Sequence, residues 1–113
     1  MVQLLGYVTP GECKQFQTYA SSLGLDASAL ASLLIIRELK LRRLRKLAES
    51  FETELQTSER TKITAHLRDA SVKSAFARHS AASGMKPTPA VAILFRAELA
   101  EQWLERSISE FPS

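Results

Sequence analysis

Gly24-Leu25-Asp26-Ala27-Ser28 and Gly84-Met85-Lys86-Pro87-Thr88, sixty residues apart, decide how this chain folds. Each holds a glycine, then an apolar residue, and a small hydroxyl residue four places after the glycine. A short helix-like run precedes each, and a longer one follows. Each is read as the turn between two helices. The glycine takes positive φ and closes the first helix, and Ser28 or Thr88 is placed to cap the second. A chain that does this twice is read for an internal repeat.

Working outward from the first turn, residues 3–8 are short and apolar with no helix start before them, so they predict a strand. Thr9-Pro10-Gly11-Glu12 then has the form of a helix N-terminus, with Thr9 as N-cap, Pro10 at the first helical position and Glu12 completing a capping box. A helix over 10–22 places Cys13, Phe16, Tyr19 and Ala20 on one apolar stripe. After Gly24, a long helix starts near Ala27. Neither Gly nor Pro interrupts residues 25–55, and the pattern has room to break near Ser50. Leu30, Leu33, Leu34, Leu41, Leu44, Leu47, Phe51 and Leu55 are its core candidates. Residues 56–60 are polar and read as a connector.

From Thr61 the order restarts. Ile63, Ala65 and Leu67 alternate with Lys62, Thr64 and His66, the period of a half-buried strand. Asp69 is placed to cap a helix over 70–82, with Val72, Ala75, Phe76 and His79 on one side. Past Gly84, a last helix opens at Lys86-Pro87-Thr88-Pro89 and is expected to run to about Ile108 with Val91, Leu94, Phe95, Leu99, Trp103 and Leu104 inside. An offset of sixty brings Phe16 onto Phe76, Gly24 onto Gly84, Leu34 onto Leu94, Glu38 onto Glu98 and Leu39 onto Leu99. The strands fit better at fifty-nine, so one extra residue is expected in the helix over 70–82 or in its turn.

The 113 residues, 45% hydrophobic, suffice for one packed domain. A single domain over 1–113 is expected, with halves 2–48 and 61–113 around a connector, 49–60. The formal charge of +3 permits an anionic partner without demanding one. The lone Cys13 forms no internal disulfide and there is no zinc spacing. No apolar run is long enough to span a bilayer, so a cytoplasmic protein without membrane contact is the expectation.

The order strand, cap, helix, Gly-apolar-x-x-Ser turn, helix resembles the ribbon-helix-helix DNA-binding family, here as a single-chain tandem. The first half carries the pattern in Val8-Thr9-Pro10-Gly11-Glu12, Cys13, Phe16, Ala20, Gly24, Leu25 and Ser28. The second departs from it at Ser80, which stands where the family has an alanine four before the glycine. The resemblance implies a mainly α fold of two intertwined strand-helix-helix halves, forming a two-stranded antiparallel ribbon on a four-helix core. One chain would supply what is a dimer in the family, as a monomer with an internal pseudo-two-fold axis.

The resemblance further implies sequence-specific binding of double-stranded DNA, with the ribbon in the major groove. The family acts as transcriptional repressors or as accessory proteins at plasmid transfer origins, and the tandem form is similar to the relaxosome group, which has a relaxase as protein partner. The base-reading residues would be Lys62, Thr64 and His66 from the second strand and Gln3 and Tyr7 from the first, with Leu4, Gly6 and Val8 inward. Leu5 also faces outward in that register. A slip of one residue would swap these faces. Because the halves differ, the preferred site is not expected to be a clean palindrome. Phosphate contacts would fall at the N-termini of the second helices, on Ser28, Lys86 and Thr88. There Lys86 helps, Asp26 opposes an anion unless it caps the helix, and Pro87 and Pro89 each remove a donor.

Other readings stand beside this one. Ser28 and Thr88 also read as simple caps. The basic run Arg37, Lys40, Arg42, Arg43, Arg45 and Lys46 reads as a solvated helix face or as a grip on DNA or a partner. The apolar outward face of the first strand suits a non-catalytic protein-interaction module on the same scaffold, and a plain helical bundle is a further alternative. His66 and His79 lack ligand spacing to an acid or to Cys13, and no glycine-rich phosphate loop or nucleophile elbow is present. No enzyme, metal or cofactor is therefore expected.

Overall fold

The short apolar run at 3–8 and the alternating stretch at 62–67 become two paired strands. In the computed structural model residues 2–50 and 60–102 are described. The chain runs β1 (Val2–Val8), α1 (Pro10–Ser22), α2 (Ala27–Leu41), α3 (Leu44–Ser50), β2 (Thr61–Leu67), α4 (Ala70–Ala82) and α5 (Pro87–Glu101). It is mainly helical, with β1 and β2 forming one two-stranded antiparallel sheet. α3 carries helix two residues into the expected connector. The rest of that connector, apart from Arg60, lies outside the described residues, as do Trp103 and Leu104.

The two strands share one pattern of exposure. Leu4, Val8, Ile63, Ala65 and Leu67 turn inward and are buried. The sheet roofs a core in which Phe16, Phe76, Phe95, Leu30 and Ile35 are fully enclosed. Burial of such side chains stabilises the fold by about 1.5–3 kcal/mol each. Phe16 of α1 meets Phe95 of α5 with ring centroids 4.8 Å apart. The halves are interleaved: β1 packs on α5, and β2 packs on α2. Each strand therefore lies mainly over a helix from the far side of residues 51–59 in the chain.

The local stops follow the residues that predicted them. Thr9 Oγ1 accepts the Glu12 N–H, and Glu12 Oε1 accepts the Thr9 N–H, so both ends of the capping box are made. Gly24 and Gly84 sit at φ 77° and 78°. In the first turn Leu25 N donates to Ala20 O and Gly24 N to Ser21 O. In the second, Met85 N donates to Ser80 O and Gly84 N to Ala81 O. These bonds use carbonyls that a helix end leaves over. Ser80, which replaces the alanine, is buried and turns its hydroxyl back onto the Phe76 carbonyl at 2.8 Å.

Three expectations are corrected. First, the long helix stops at Leu41, not near Ser50. Arg42 takes a left-handed conformation at φ 52°, its N–H donates to Glu38 O, and the Glu38 carboxylate accepts the Leu44 N–H at 2.7 Å. A buried side chain from one turn earlier thus ends α2 and starts α3. Leu33, in the middle of α2, and Leu41, at its end, are exposed rather than core. Second, α5 ends at Glu101, because Gln102 repeats the left-handed stop at φ 50°.

Third, the extra residue lies in neither α4 nor its turn. Strands are offset by fifty-nine (Val2 to Thr61) and helices by sixty (Pro10 to Ala70), so it sits between them. Thr9 alone joins β1 to α1, whereas Arg68 and Asp69 join β2 to α4. Asp69 then caps α4 by accepting the Ser71 N–H at 2.9 Å. That bond, with one from the Ser71 side chain, holds the Asp69 carboxyl below its ordinary pKa. A depressed folded value means a stabilisation that is present above the unfolded pKa and is lost as pH falls through the folded one. An NMR titration of the Asp69 carboxyl should therefore have its midpoint below that of an unfolded peptide. A midpoint at or above the peptide value would mean that the cap is absent in solution.

Candidate functional site

The outward face of the ribbon carries three cross-strand pairs: Gln3 opposite His66, Leu5 opposite Thr64 and Tyr7 opposite Lys62. Gln3, Tyr7, Lys62 and His66 are exposed, while Leu5 and Thr64 in the middle are half-buried. All five residues expected to read bases therefore share one face, in the register with Leu4, Gly6 and Val8 inward. Gly6 decides that register. A Cβ there would lie 2.9 Å from Ala92 N and 3.1 Å from side-chain atoms of Val91 and Phe95, so the strand meets α5 at a residue without a side chain.

Polar chemistry on this face is partly fixed. Gln3 Nε2 lies 3.2 Å from His66 Nδ1. An amide nitrogen only donates, so the ring nitrogen accepts. Beneath the ribbon, Ser32 Oγ of α2 lies 2.9 Å from the His66 carbonyl oxygen and ties β2 to the helix under it.

The helix N-termini differ from each other. Asp26, not Ser28, caps α2, with its carboxylate accepting the Ala29 N–H at 2.7 Å. Ser28 is the second residue of that helix and is half-buried, and its carbonyl oxygen lies 3.0 Å from Ser32 Oγ, whose single proton it shares with the His66 carbonyl. The position where an anion would dock therefore already holds a carboxylate. At α5 the N-cap is Lys86, exposed and without a capping side-chain bond. Pro87 and Pro89 withhold their donors, which leaves the N–H of Thr88 as the donor in the first three helical positions.

The basic run faces the other half rather than open solvent alone. Arg37 donates to Glu98 Oε1 at 2.6 Å, Arg43 bonds both oxygens of Glu101, and Arg45 donates to the Ala82 carbonyl. Lys40, Arg42 and Lys46 are exposed. Glu12, the capping-box residue, also accepts from Arg96 Nε at 3.1 Å.

Two buried carboxylates were visible in the sequence only as an identity between repeats. Glu98 accepts the Tyr19 hydroxyl at 2.6 Å, and Glu38 lies 2.6 Å from His79 Nε2. Tyr19 and His79 stand at the same offset of sixty as Glu38 and Glu98. Each half therefore places a carboxylate from its second helix on a polar ring from the first helix of the other half. The matching offsets were the available signal. The spacing of His79 along its own helix gave no hint of Glu38, which comes from another element.

Cys13 is buried on the apolar stripe of α1, as that stripe predicted. Among the described residues no group of three His, Cys, Asp or Glu side chains converges to hold a metal. No single described helix is long and apolar enough to cross a membrane. Comparison with known proteins finds no matching family model, no matching curated protein and no matching solved structure.

Proposed function

We propose that the protein binds double-stranded DNA sequence-specifically, laying the β1–β2 ribbon in the major groove. The observation that carries this reading is the single outward face of Gln3, Tyr7, Lys62, Thr64 and His66, above a core that buries the other face. A two-stranded ribbon has the width to enter the groove, and these side chains carry the donors, acceptors and methyl group that base edges present. The interleaved halves favour reading the fold as a single-chain ribbon-helix-helix, a monomer with an internal pseudo-two-fold axis. Phosphate contact is assigned to Lys86 and Thr88, with Ser28 the weaker site because Asp26 caps its helix. In this reading the protein works in the cytoplasm, as an accessory factor at a plasmid transfer origin with a relaxase as partner, or as a transcriptional repressor.

Fluorescence anisotropy with short duplexes over a salt series tests it. Wild-type affinity should fall steeply with salt as phosphate counterions are released. The variant Lys62→Ala, Thr64→Ala, His66→Ala should lose its preference among sequences and keep most of its non-specific affinity. Absence of binding even at low salt would refute DNA recognition.

A second reading is favoured by one observation. Leu33, Ile36 and Leu41 on α2 are 44%, 41% and 42% exposed, an apolar strip edged by Lys40. Exposed apolar area of this kind suits protein contact, so a non-catalytic interaction module is the alternative, with or without DNA.

A further inference from the structure

Resting on the DNA-binding reading, we infer that the ribbon reads its site in one direction only: the Gln3–His66 end takes an A·T pair and the Tyr7–Lys62 end takes a G·C pair. The register places the pseudo-two-fold axis of the ribbon at the pair Leu5–Thr64, because an offset of fifty-nine carries Leu5 onto Thr64 (5 to 64) and the same two residues face each other. The same offset carries Gln3 onto Lys62 and Tyr7 onto His66. A reader of inverted repeats needs equal side chains at equivalent positions. None of the three outward pairs of equivalents matches.

The mismatch has a direction because the two ends differ in hydrogen-bonding chemistry. Gln3 spends one amide hydrogen on His66 Nδ1. Its second amide hydrogen and its carbonyl oxygen remain, one donor and one acceptor side by side. Adenine offers the complement in the major groove, an N7 acceptor beside an N6 donor. Lys62 carries three donors and no acceptor, which suits the paired acceptors N7 and O6 of guanine and is repelled by no donor there. Leu5 and Thr64 at the axis offer methyl groups, which suit the thymine methyl between the two ends. Residues 3 and 7 lie about 13 Å apart along a strand, roughly four base-pair steps. A duplex turned end for end would set Lys62 against adenine's donor and Gln3 against guanine's two acceptors.

Selection of bound duplexes from a randomised pool, with wild type and with the variant Gln3→Lys, Leu5→Thr, Tyr7→His, tests this. The three substitutions lie on the outward face and give β1 the outward residues of β2. Wild type should select a non-palindromic site with A·T at one end and G·C at the other, and inverting one end should weaken binding about tenfold or more. The variant should select an inverted repeat with G·C at both ends. Should the triple variant fail to fold, single variants decide: Gln3→Ala should relax the A·T end alone, and Lys62→Ala the G·C end alone. A wild-type inverted repeat would overturn the inference and leave DNA binding intact. A directional site that the triple variant keeps would move the direction to the helix ends at Asp26 and Lys86, and overturn the assignment to the ribbon. Absence of salt-dependent binding to any duplex would overturn the DNA-binding reading itself, and the inference with it.

Discussion

Glu98→Ala is expected to lower the stability of the protein by about 3 kcal/mol, read as a shift in the midpoint of urea unfolding at unchanged slope. Glu98 is fully buried in α5 and joins two elements of the other half. Its Oε2 accepts the Tyr19 hydroxyl of α1, and its Oε1 accepts from Arg37 of α2 at 2.6 Å. Removing the carboxylate takes both bonds and leaves a cavity where the two halves meet. Breaking a fully buried pair costs about 3–5 kcal/mol. Here the Arg37 side chain is 26% exposed, so its charge retains access to water and the lower end of that range applies. Glu98→Gln keeps the volume and an acceptor for Tyr19, and should recover about half of the loss. If the glutamine variant is as unstable as the alanine variant, the charge rather than the hydrogen bond to Tyr19 holds the seam.

The same residue explains what the sequence could and could not reveal. Signals acting over three or four residues were legible: the Thr9–Glu12 box, the glycines at 24 and 84, and the period-two alternation of 62–67. The first two are backbone groups satisfied by a near neighbour and the third is burial alternating along one strand, so residue type at fixed spacing announces each. The ends of α2 and α5 were hidden. Arg42 and Gln102 are ordinary helix residues, and each takes a left-handed φ four residues after a buried glutamate. In the first half that glutamate, Glu38, also receives the Leu44 N–H. Propensity carries no trace of a stop imposed by a side chain whose burial depends on the other half.

The candidate site was legible to the same degree. Strand β2 alternates cleanly, so Lys62, Thr64 and His66 could be put on one face from sequence alone. Strand β1 is apolar on both faces, and only the resemblance chose Gln3 and Tyr7. The structure supplies the physical reason, since the position of closest approach to α5 is the glycine. The charged run 37–46 misled for a related reason. Half of it is used as tertiary contact with Glu98, Glu101 and the end of α4, and a one-dimensional charge count does not tell a solvated arginine from one that crosses to another element.

Gly6→Val should be the most damaging change in the ribbon, with a loss of about 3 kcal/mol or more and the weakest variant in any thermal scan of β1. A Cβ at this position stands 2.9 Å from Ala92 N, which is helix backbone and cannot rotate aside, and 3.1 Å from Phe95 and Val91 side chains. Either β1 lifts from α5 or the helix moves, and both carry the ribbon with them. The repeat provides an internal control. Ala65 is the equivalent of Gly6 at the strand offset, is fully buried, and carries a Cβ. The helix under it has Ala31 and Ile35 where α5 has Val91 and Phe95. One seam therefore pairs a glycine with larger helix side chains, and the other pairs an alanine with smaller ones. On that account Gly6→Ala should cost less in a Val91→Ala, Phe95→Ile background than in the wild type, read as non-additivity in a mutant cycle. The smaller helix side chains relieve both side-chain contacts, while their own cavity cost is common to both arms of the comparison. If neither helix substitution softens the Gly6→Ala loss, the Ala92 backbone alone sets the approach of strand to helix. Ala65→Gly should cost about 1–2 kcal/mol, the conformational penalty of a glycine within a strand plus the lost burial of one methyl.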